Sequence, residues 1–306
     1  MRTFDESATP SFASTPADPI VVPSMDVLSP QLFAILSSLV EERLGLHYGR
    51  EDIRVFSDKL FGRMSEAGFE SALDYYYALR YDDPNGTETD ALADALVVGE
   101  TYFFRELDAL RAAIPHVIEP AIARRGRARV WSAGCATGEE PSTMAMLLED
   151  ARLLDRTEII ATDVSARHLA RARAGIYGPR SLRALKDGDG DPLVRTLADR
   201  WIARDSSSDG QIGKVGRPII EAIDYRRMNL LEGGTLATLG HFDLVLCRNV
   251  LIYFADDTVR TVVASLCNAL APRGRIVVGA SESLLRFGTL LHCEERGGAF
   301  FYAKDP

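Results

Sequence analysis

The stretch Val130 to Pro141, V-W-S-A-G-C-A-T-G-E-E-P, leaves a chain few ways to fold. An apolar run from Arg129 to Ala133 breaks at Gly134 and Gly138 and passes into a helical pattern, Pro141 to Asp150, headed by two carboxylates. A buried strand, a glycine turn and a helix in that order make a parallel crossover. The glycines let the backbone approach a ligand and pack the strand against the helix. Alone, G-x-x-x-G also fits any tight strand-to-helix turn.

The charge at this turn narrows the ligand. A pyrophosphate needs bare amides at the positive end of a helix dipole, whereas Glu139 and Glu140 bring negative charge there. A cationic ligand suits them better, and the sulfonium and ammonium groups of S-adenosylmethionine fit that description. A second apolar strand, Glu158 to Thr162, leads into Asp163, about 25 positions beyond Gly138, where a ribose-binding acid stands at the tip of the next parallel strand. A third, Phe242 to Cys247, ends in Arg248-Asn249, so polar groups interrupt an apolar run at a strand's carboxyl end.

Taken in order, G-E-T-Y-F-F-R-E (Gly99 to Glu106), W-S-A-G-C-A-T-G-E-E-P, A-T-D (Ala161 to Asp163), M-N-L-L (Met228 to Leu231) and C-R-N-V-L-I-Y-F (Cys247 to Phe254) closely resemble the motifs of the chemotaxis receptor methyltransferase family, CheR. The resemblance covers nearly everything after Leu28. It implies a class I S-adenosylmethionine methyltransferase fold: a Rossmann-like α/β domain whose mostly parallel sheet closes with an antiparallel hairpin. A small all-helical domain precedes it, and a small antiparallel β insert interrupts it. The implied activity transfers a methyl group from S-adenosylmethionine to glutamate carboxylates of chemoreceptor-type signalling proteins, giving methyl esters and S-adenosylhomocysteine. The implied partner is the cytoplasmic helical domain of such receptors.

Residue by residue, the resemblance gives Asp163 the ribose hydroxyls. Glu140, with Glu139 as the other candidate, lines the cofactor together with the turn at Gly134, and Asn229-Leu230 lies beside the adenine. Arg248 and Asn249 close the pocket, and Thr101 and Arg105 reach into it. Arg105 and Tyr253 stand nearest the transferred methyl as the catalytic pair. The bland readings stay open: Asn229 as a strand-end cap, Leu230 as core, Tyr253 as a buried aromatic. Gly99 departs from the commoner N-E-T form, so a side-chain contact from that position is lost while a backbone contact remains available.

The domain organisation follows from composition and periodicity. Met1 to Pro30 carries five prolines and too few large apolar groups for a core, and residues 1–28 read as a disordered tail without the charged and apolar regions of a signal peptide. Helical patterns follow from Pro30 to Leu44, Glu51 to Met64, Ser71 to Arg80 and Thr87 to Val98, with Asp74 and Asp90 completing capping patterns, so 29–98 is expected to form a helical domain. Residues 99–126 link it, by helices punctuated at Pro115 and Pro120, to a methyltransferase domain at 127–306. That domain alternates strands and helices, apart from about 201–222, where short apolar pieces around Ile202, Ile212 and Ile219 predict the β insert. In some family members such an insert binds a receptor C-terminal peptide. The pairs Arg50/Arg54 and Lys59/Arg63 lie one helical turn apart, read either as a solvated face or as a docking surface for an acidic receptor bundle.

A formal net charge of −9 argues against nucleic acid as substrate. No apolar run approaches the roughly 18 residues of a membrane span, so a soluble protein is expected; the family resemblance implies a cytoplasmic enzyme without membrane insertion, acting as a monomer. Four cysteines without a C-x-x-C pair and five scattered histidines show no metal spacing, and His47 and His168 read as surface or structural. A glutamate with a reference pKa of about 4.3 is ionised at neutral pH, so its methylation needs no general base, in keeping with the lack of a Ser/His/Asp or Cys/His set. A nicotinamide oxidoreductase would explain only the first turn and predicts a G-x-G-x-x-G that is absent. A catalytically weak receptor-docking module would keep the helices and relax the pocket.

Overall fold

Strands that alternate side chains between two apolar layers need cover on both faces, and this chain supplies it with helices. The computed structural model describes residues 27–185, 190–205, 212–288 and 291–304. The N-terminal helices are α1 (Pro30–Leu44), α2 (Ile53–Ala67), α3 (Ala72–Tyr81) and α4 (Thr87–Leu96). They close on a core of their own that includes Phe33, Leu36, Phe56, Leu60, Tyr75 and Leu96. Ser29 caps α1 by accepting from the Leu32 amide, and Gly45, in the left-handed region, ends it. Ser71 caps α3 on the Asp74 amide as its spacing predicts. The start of α4 differs: Gly86 is its N-cap, and the Asp83 carboxylate takes the amides of Glu88 and Thr89. Residues 1–26, the expected tail, lie outside the described residues.

Lys59 and Arg63 are not a free basic face. The Lys59 ammonium donates to the Leu96 carbonyl at 2.6 Å, and Arg63 grips both oxygens of Glu88 at 2.8 and 2.7 Å while Tyr75 donates to the same carboxylate. Arg50 and Arg54 are exposed.

From Leu107 the chain forms α5 (Leu107–Ala113), a π turn over Ile114–Ile118 that absorbs Pro115, and α6 (Glu119–Arg125) with Pro120 in its first turn. The chain then runs through β1 (Ala128–Ala133), α7 (Glu139–Asp150), β2 (Thr157–Asp163) and α8 (Ala166–Ala174), followed by β3 (Ile176–Tyr177), α9 (Pro192–Trp201), β4 (Ile202–Arg204), β5 (Gly213–Val215), α10 (Arg217–Glu221), β6 (Ile223–Arg227), α11 (Gly233–Ala237), β7 (Phe242–Cys247), α12 (Asp256–Asn268), β8 (Leu270–Val278), β9 (Leu291–Arg296) and β10 (Ala299–Lys304). The seven strands of the main sheet run β6-β2-β1-β7-β8-β10-β9. The first five pair in parallel, while β10 is antiparallel to both β8 and β9, which is the reversed hairpin expected.

Alternation along the central strands sorts the layers. Val130, Ile159 and Leu244 point into the layer under α5 and α7, while Trp131, Ile160 and Val245 point into the layer under α12. The Trp131 indole, fully buried, donates to Thr162 Oγ1 at 2.9 Å, so its one polar atom is satisfied. Asp243, also buried, pairs with Arg125 and accepts the Arg129 amide at 3.0 Å, which pins α6 to the start of β1.

The small antiparallel sheet exists, with a different membership. Its order is β3-β5-β4, so one strand comes from Ile176–Tyr177, upstream of the predicted insert. Ile219 lies in α10, because Pro218 at a first-turn position favours a helix. Strand β6 belongs to the main sheet and stops at Arg227, leaving Met228 and Asn229 in the loop beyond it.

Candidate active site

The carboxyl ends of β1, β2 and β7 open into one cavity. Thr101, Arg105, Gly134, Glu140, Asp163, Asn229, Leu230, Arg248, Asn249 and Tyr253, all ten residues nominated from the sequence, line it. Gly134 has φ of 76°, and a Cβ there would meet Val250 Cγ2 at 2.6 Å, so only glycine lets the turn after β1 pass the loop after β7. Helix α7 begins at Glu139, two residues before the expected start.

Asp163, the last residue of β2, accepts the Ala136 amide at 2.8 Å on one oxygen and the Ser165 amide at 2.9 Å on the other. Two bonds orient the carboxylate and leave each oxygen a lone pair for a ligand. Glu139 and Glu140 diverge. Glu140 faces the cavity, accepting from Ser132 Oγ at 2.7 Å and pairing with Arg248 at 3.0 Å. Glu139 turns into the core, where burial pushes its carboxyl above the ordinary range, and accepts from Thr137 Oγ1 at 2.7 Å. The negative turn expected from the sequence is therefore one half of an ion pair and one buried acid, which weakens the charge argument for a cationic ligand.

Arg248 holds the centre. Its side chain is 2% exposed, and besides Glu140 it meets the Glu106 carboxylate at 3.3 Å and donates to the backbone carbonyls of Arg105 at 2.6 Å and Glu106 at 3.2 Å. Those carbonyls belong to a strained turn, since Phe104 (φ 63°) and Glu106 (φ 46°) are left-handed without being glycine. Phe103 and Phe104 are buried as core filling, and the Phe104 amide donates to Thr143 Oγ1 at 3.1 Å. The Arg105 side chain, between Phe104 and Glu106 in the chain, is loosely held. Its only hydrogen bond among the described residues is to the Glu100 carbonyl at 3.3 Å, with Glu106 Oε1 3.8 Å away. Tyr253 stands close enough for the Arg105 charge to favour its phenolate, yet burial is the larger effect and raises the phenol.

The two other motif residues carry structural duties. Asn229 donates to the Arg43 carbonyl at 2.8 Å and accepts the Leu231 amide at 3.0 Å, so its amide acts as a cap, as the bland reading has it. Leu230 is both wall and core. Asn249 adopts φ of 59°.

Sequence reasoning missed three contributors. Glu282, after β8, accepts the amides of Asn249 and Gly279 at 2.7 Å each and of Leu251 at 2.8 Å, and so fixes the loop that carries Tyr253. A lone acid in S-E-S just past a buried strand was the available signal. His168 also lines the cavity, with its side chain 11% exposed, so of its two readings the surface one does not hold. Leu44, at the end of α1, Leu46 just beyond it, and Val97 and Val98 after α4 line it too. The Cys135 thiol at the wall is pushed well up by burial, which disfavours its thiolate.

The arrangement offers what S-adenosylmethionine requires: an oriented carboxylate for hydroxyls, apolar walls such as Met228 and Leu230, and an underused guanidinium. The family described as "CheR methyltransferase, SAM binding domain" matches residues 99–296. The chain is 33% identical to Chemotaxis protein methyltransferase 2 of Vibrio cholerae, over 78% of this chain and 81% of that protein. It is 29% identical to Chemotaxis protein methyltransferase 1 of Pseudomonas aeruginosa, over 82% and 90%. To the Probable biofilm formation methyltransferase WspC of the same organism it is 32% identical, over 81% of this chain and 56% of that one. With its motifs gathered at one cavity on a class I methyltransferase sheet, the chain belongs to the CheR family of S-adenosylmethionine-binding chemotaxis protein methyltransferases.

Proposed function

We propose that this chain methylates glutamate side chains of chemoreceptor-type signalling proteins, giving glutamate methyl esters and S-adenosylhomocysteine. The observation that carries the reading is Arg105, a guanidinium with free donors beside Tyr253 at the cofactor cavity. S-adenosylmethionine supplies an electrophilic methyl on a sulfonium. Asp163 would hold the ribose, Leu230 and the backbone at Asn229 would flank the adenine, and Thr101, Gly134, Glu140, Arg248 and Asn249 would complete the wall. Arg105 would grip the incoming carboxylate in two charge-assisted hydrogen bonds and align it with the methyl, while Tyr253, kept neutral by burial, would close the approach against water. An ionised carboxylate needs no proton removed.

The same reading places the organisation as a helical domain at 29–98, a connection at 99–126 and a catalytic domain at 127–306, in a monomeric cytoplasmic enzyme. Arg50 and Arg54, exposed where Lys59 and Arg63 are engaged, are the residues left to meet an acidic receptor bundle.

The test is the product. Label transferred from methyl-labelled cofactor to receptor should leave as volatile methanol on mild alkali, because an ester hydrolyses and an N-methyl or aryl O-methyl group does not. Label that stays on the receptor refutes the glutamate assignment even where cofactor binding holds.

A further inference from the structure

We infer that His168 is a cofactor-binding residue in this chain, its imidazole hydrogen-bonding the ribose of S-adenosylmethionine from space that residue 99 leaves by being glycine. The inference rests on reading Asp163 as the ribose acid. Helix α8 is capped by Ser165, whose hydroxyl accepts the His168 amide at 3.0 Å, and this register turns position 168 back toward the tip of β2. There the His168 side chain, 11% exposed, lines the cavity with Nδ1 3.6 Å from Asp163 Oδ1. That separation is too long for a hydrogen bond. Among the described residues the ring makes no hydrogen bond.

Gly99 explains how the ring fits. Its φ is not in the left-handed region, so the backbone does not require glycine. The imidazole does: a Cβ at residue 99 would lie 2.5 Å from His168 Nε2 and 2.8 Å from Cε1. The ring occupies the volume that any side chain at 99 would take, and presents polar nitrogens at the cavity in its place. The chemistry suits a hydroxyl. Asp163 can only accept, so a hydroxyl that donates to it still has lone pairs to fill, and an imidazole offers the matching N–H. Two neighbouring groups, one accepting and one donating, fit a vicinal diol better than either does alone.

Calorimetry with S-adenosylhomocysteine on the full chain tests this. His168→Ala should weaken binding about 5- to 10-fold, the order expected for one hydrogen bond. Gly99→Ala, whose methyl displaces the ring, should cost about the same, and should cost nothing further in the His168→Ala background. The loss should recur with 5′-methylthioadenosine, which keeps the ribose and lacks the amino-acid end. His168→Leu fills the volume without ring nitrogens and should give the same loss should the alanine variant fold poorly. Wild-type affinity in His168→Leu, or a Gly99→Ala penalty equal in both backgrounds, overturns the inference. A loss confined to S-adenosylhomocysteine moves His168 to the other end of the ligand and overturns it too. Asp163→Ala separates the two readings: unchanged affinity there sinks the ribose placement itself, whereas a loss there with none at His168 refutes only the histidine.

Discussion

Replacing Arg248 by Met should be among the most costly single changes at this site. Its guanidinium meets Glu140 at 3.0 Å and Glu106 at 3.3 Å and satisfies the carbonyls of Arg105 and Glu106, with only 2% of the side chain exposed. Methionine keeps most of the volume and none of the donors. Glu140, 14% exposed, is then left as a nearly buried unpaired charge, and breaking such a pair from one side costs about 3–5 kcal/mol. Part of that penalty belongs to the stranded carboxylate, so adding Glu140→Gln should return about 1–2 kcal/mol by removing the charge. Urea denaturation of the ligand-free protein measures both numbers, and the slope against denaturant shows whether the folded state is the same. S-adenosylhomocysteine affinity should fall with Arg248→Met, since the left-handed turn at Phe104 to Glu106 loses the donor that holds its carbonyls. A cost below about 1 kcal/mol, or a double variant whose losses simply add, would refute the view that this ion pair is what keeps the turn in place.

Three further outcomes are expected. Arg105→Ala should lower kcat by more than it weakens S-adenosylhomocysteine if, as proposed, its guanidinium holds an acceptor carboxylate in the transition state; spared kcat with weakened binding would reduce Arg105 to a cofactor clamp. With both substrates saturating, turnover should be nearly flat from about pH 6 to 8 on the proposed reading: a glutamate acceptor, with a reference pKa of about 4.3, is already ionised, and Tyr253 and Cys135, both raised by burial, stay neutral across that window. A rise in kcat over that range would point to an acceptor that must lose a proton. Arg63→Glu should lower the melting temperature by breaking the Glu88 pair, whereas Arg54→Glu should leave stability alone and slow receptor methylation at low salt; equal rates with and without Arg54→Glu would return it to the solvated face.

Much of the architecture could be read because local pattern and burial agree. Runs such as Val130 to Ala133 and Phe242 to Cys247 are mostly apolar and buried on both faces, as a covered parallel strand requires. What failed depended on distant partners. Ile176 and Tyr177 are two residues long as a strand and exist because Gly213 and Lys214 pair with them. The carboxylate that takes the first amides of α4 belongs to Asp83, outside the helix pattern, and the engagement of Lys59 by the Leu96 carbonyl needs α4 packed on α2. The site divides the same way. Asp163, Arg248 and Asn249 were legible as polar groups at strand ends and the remaining lining residues through the family resemblance, but the split between Glu139 and Glu140, the Arg248 pairs and the left-handed Phe104, Glu106 and Asn249 are settled by tertiary contacts that no local signal carries.

The stretch that matches the family begins at residue 99, yet the wall of the cavity does not. The His47 amide donates to the Tyr253 carbonyl at 2.8 Å, Leu46 bridges Phe254, and Asn229 caps the Arg43 carbonyl. A fragment cut at Gly99 would strip partners from the backbone of Tyr253 and open the pocket to water along one side. The sheet is thus not a portable methyltransferase to which helices have been appended. Any exchange of the first helices between relatives has to carry the seam at Arg43 to His47 with it, or the recipient inherits a cofactor site with a missing side.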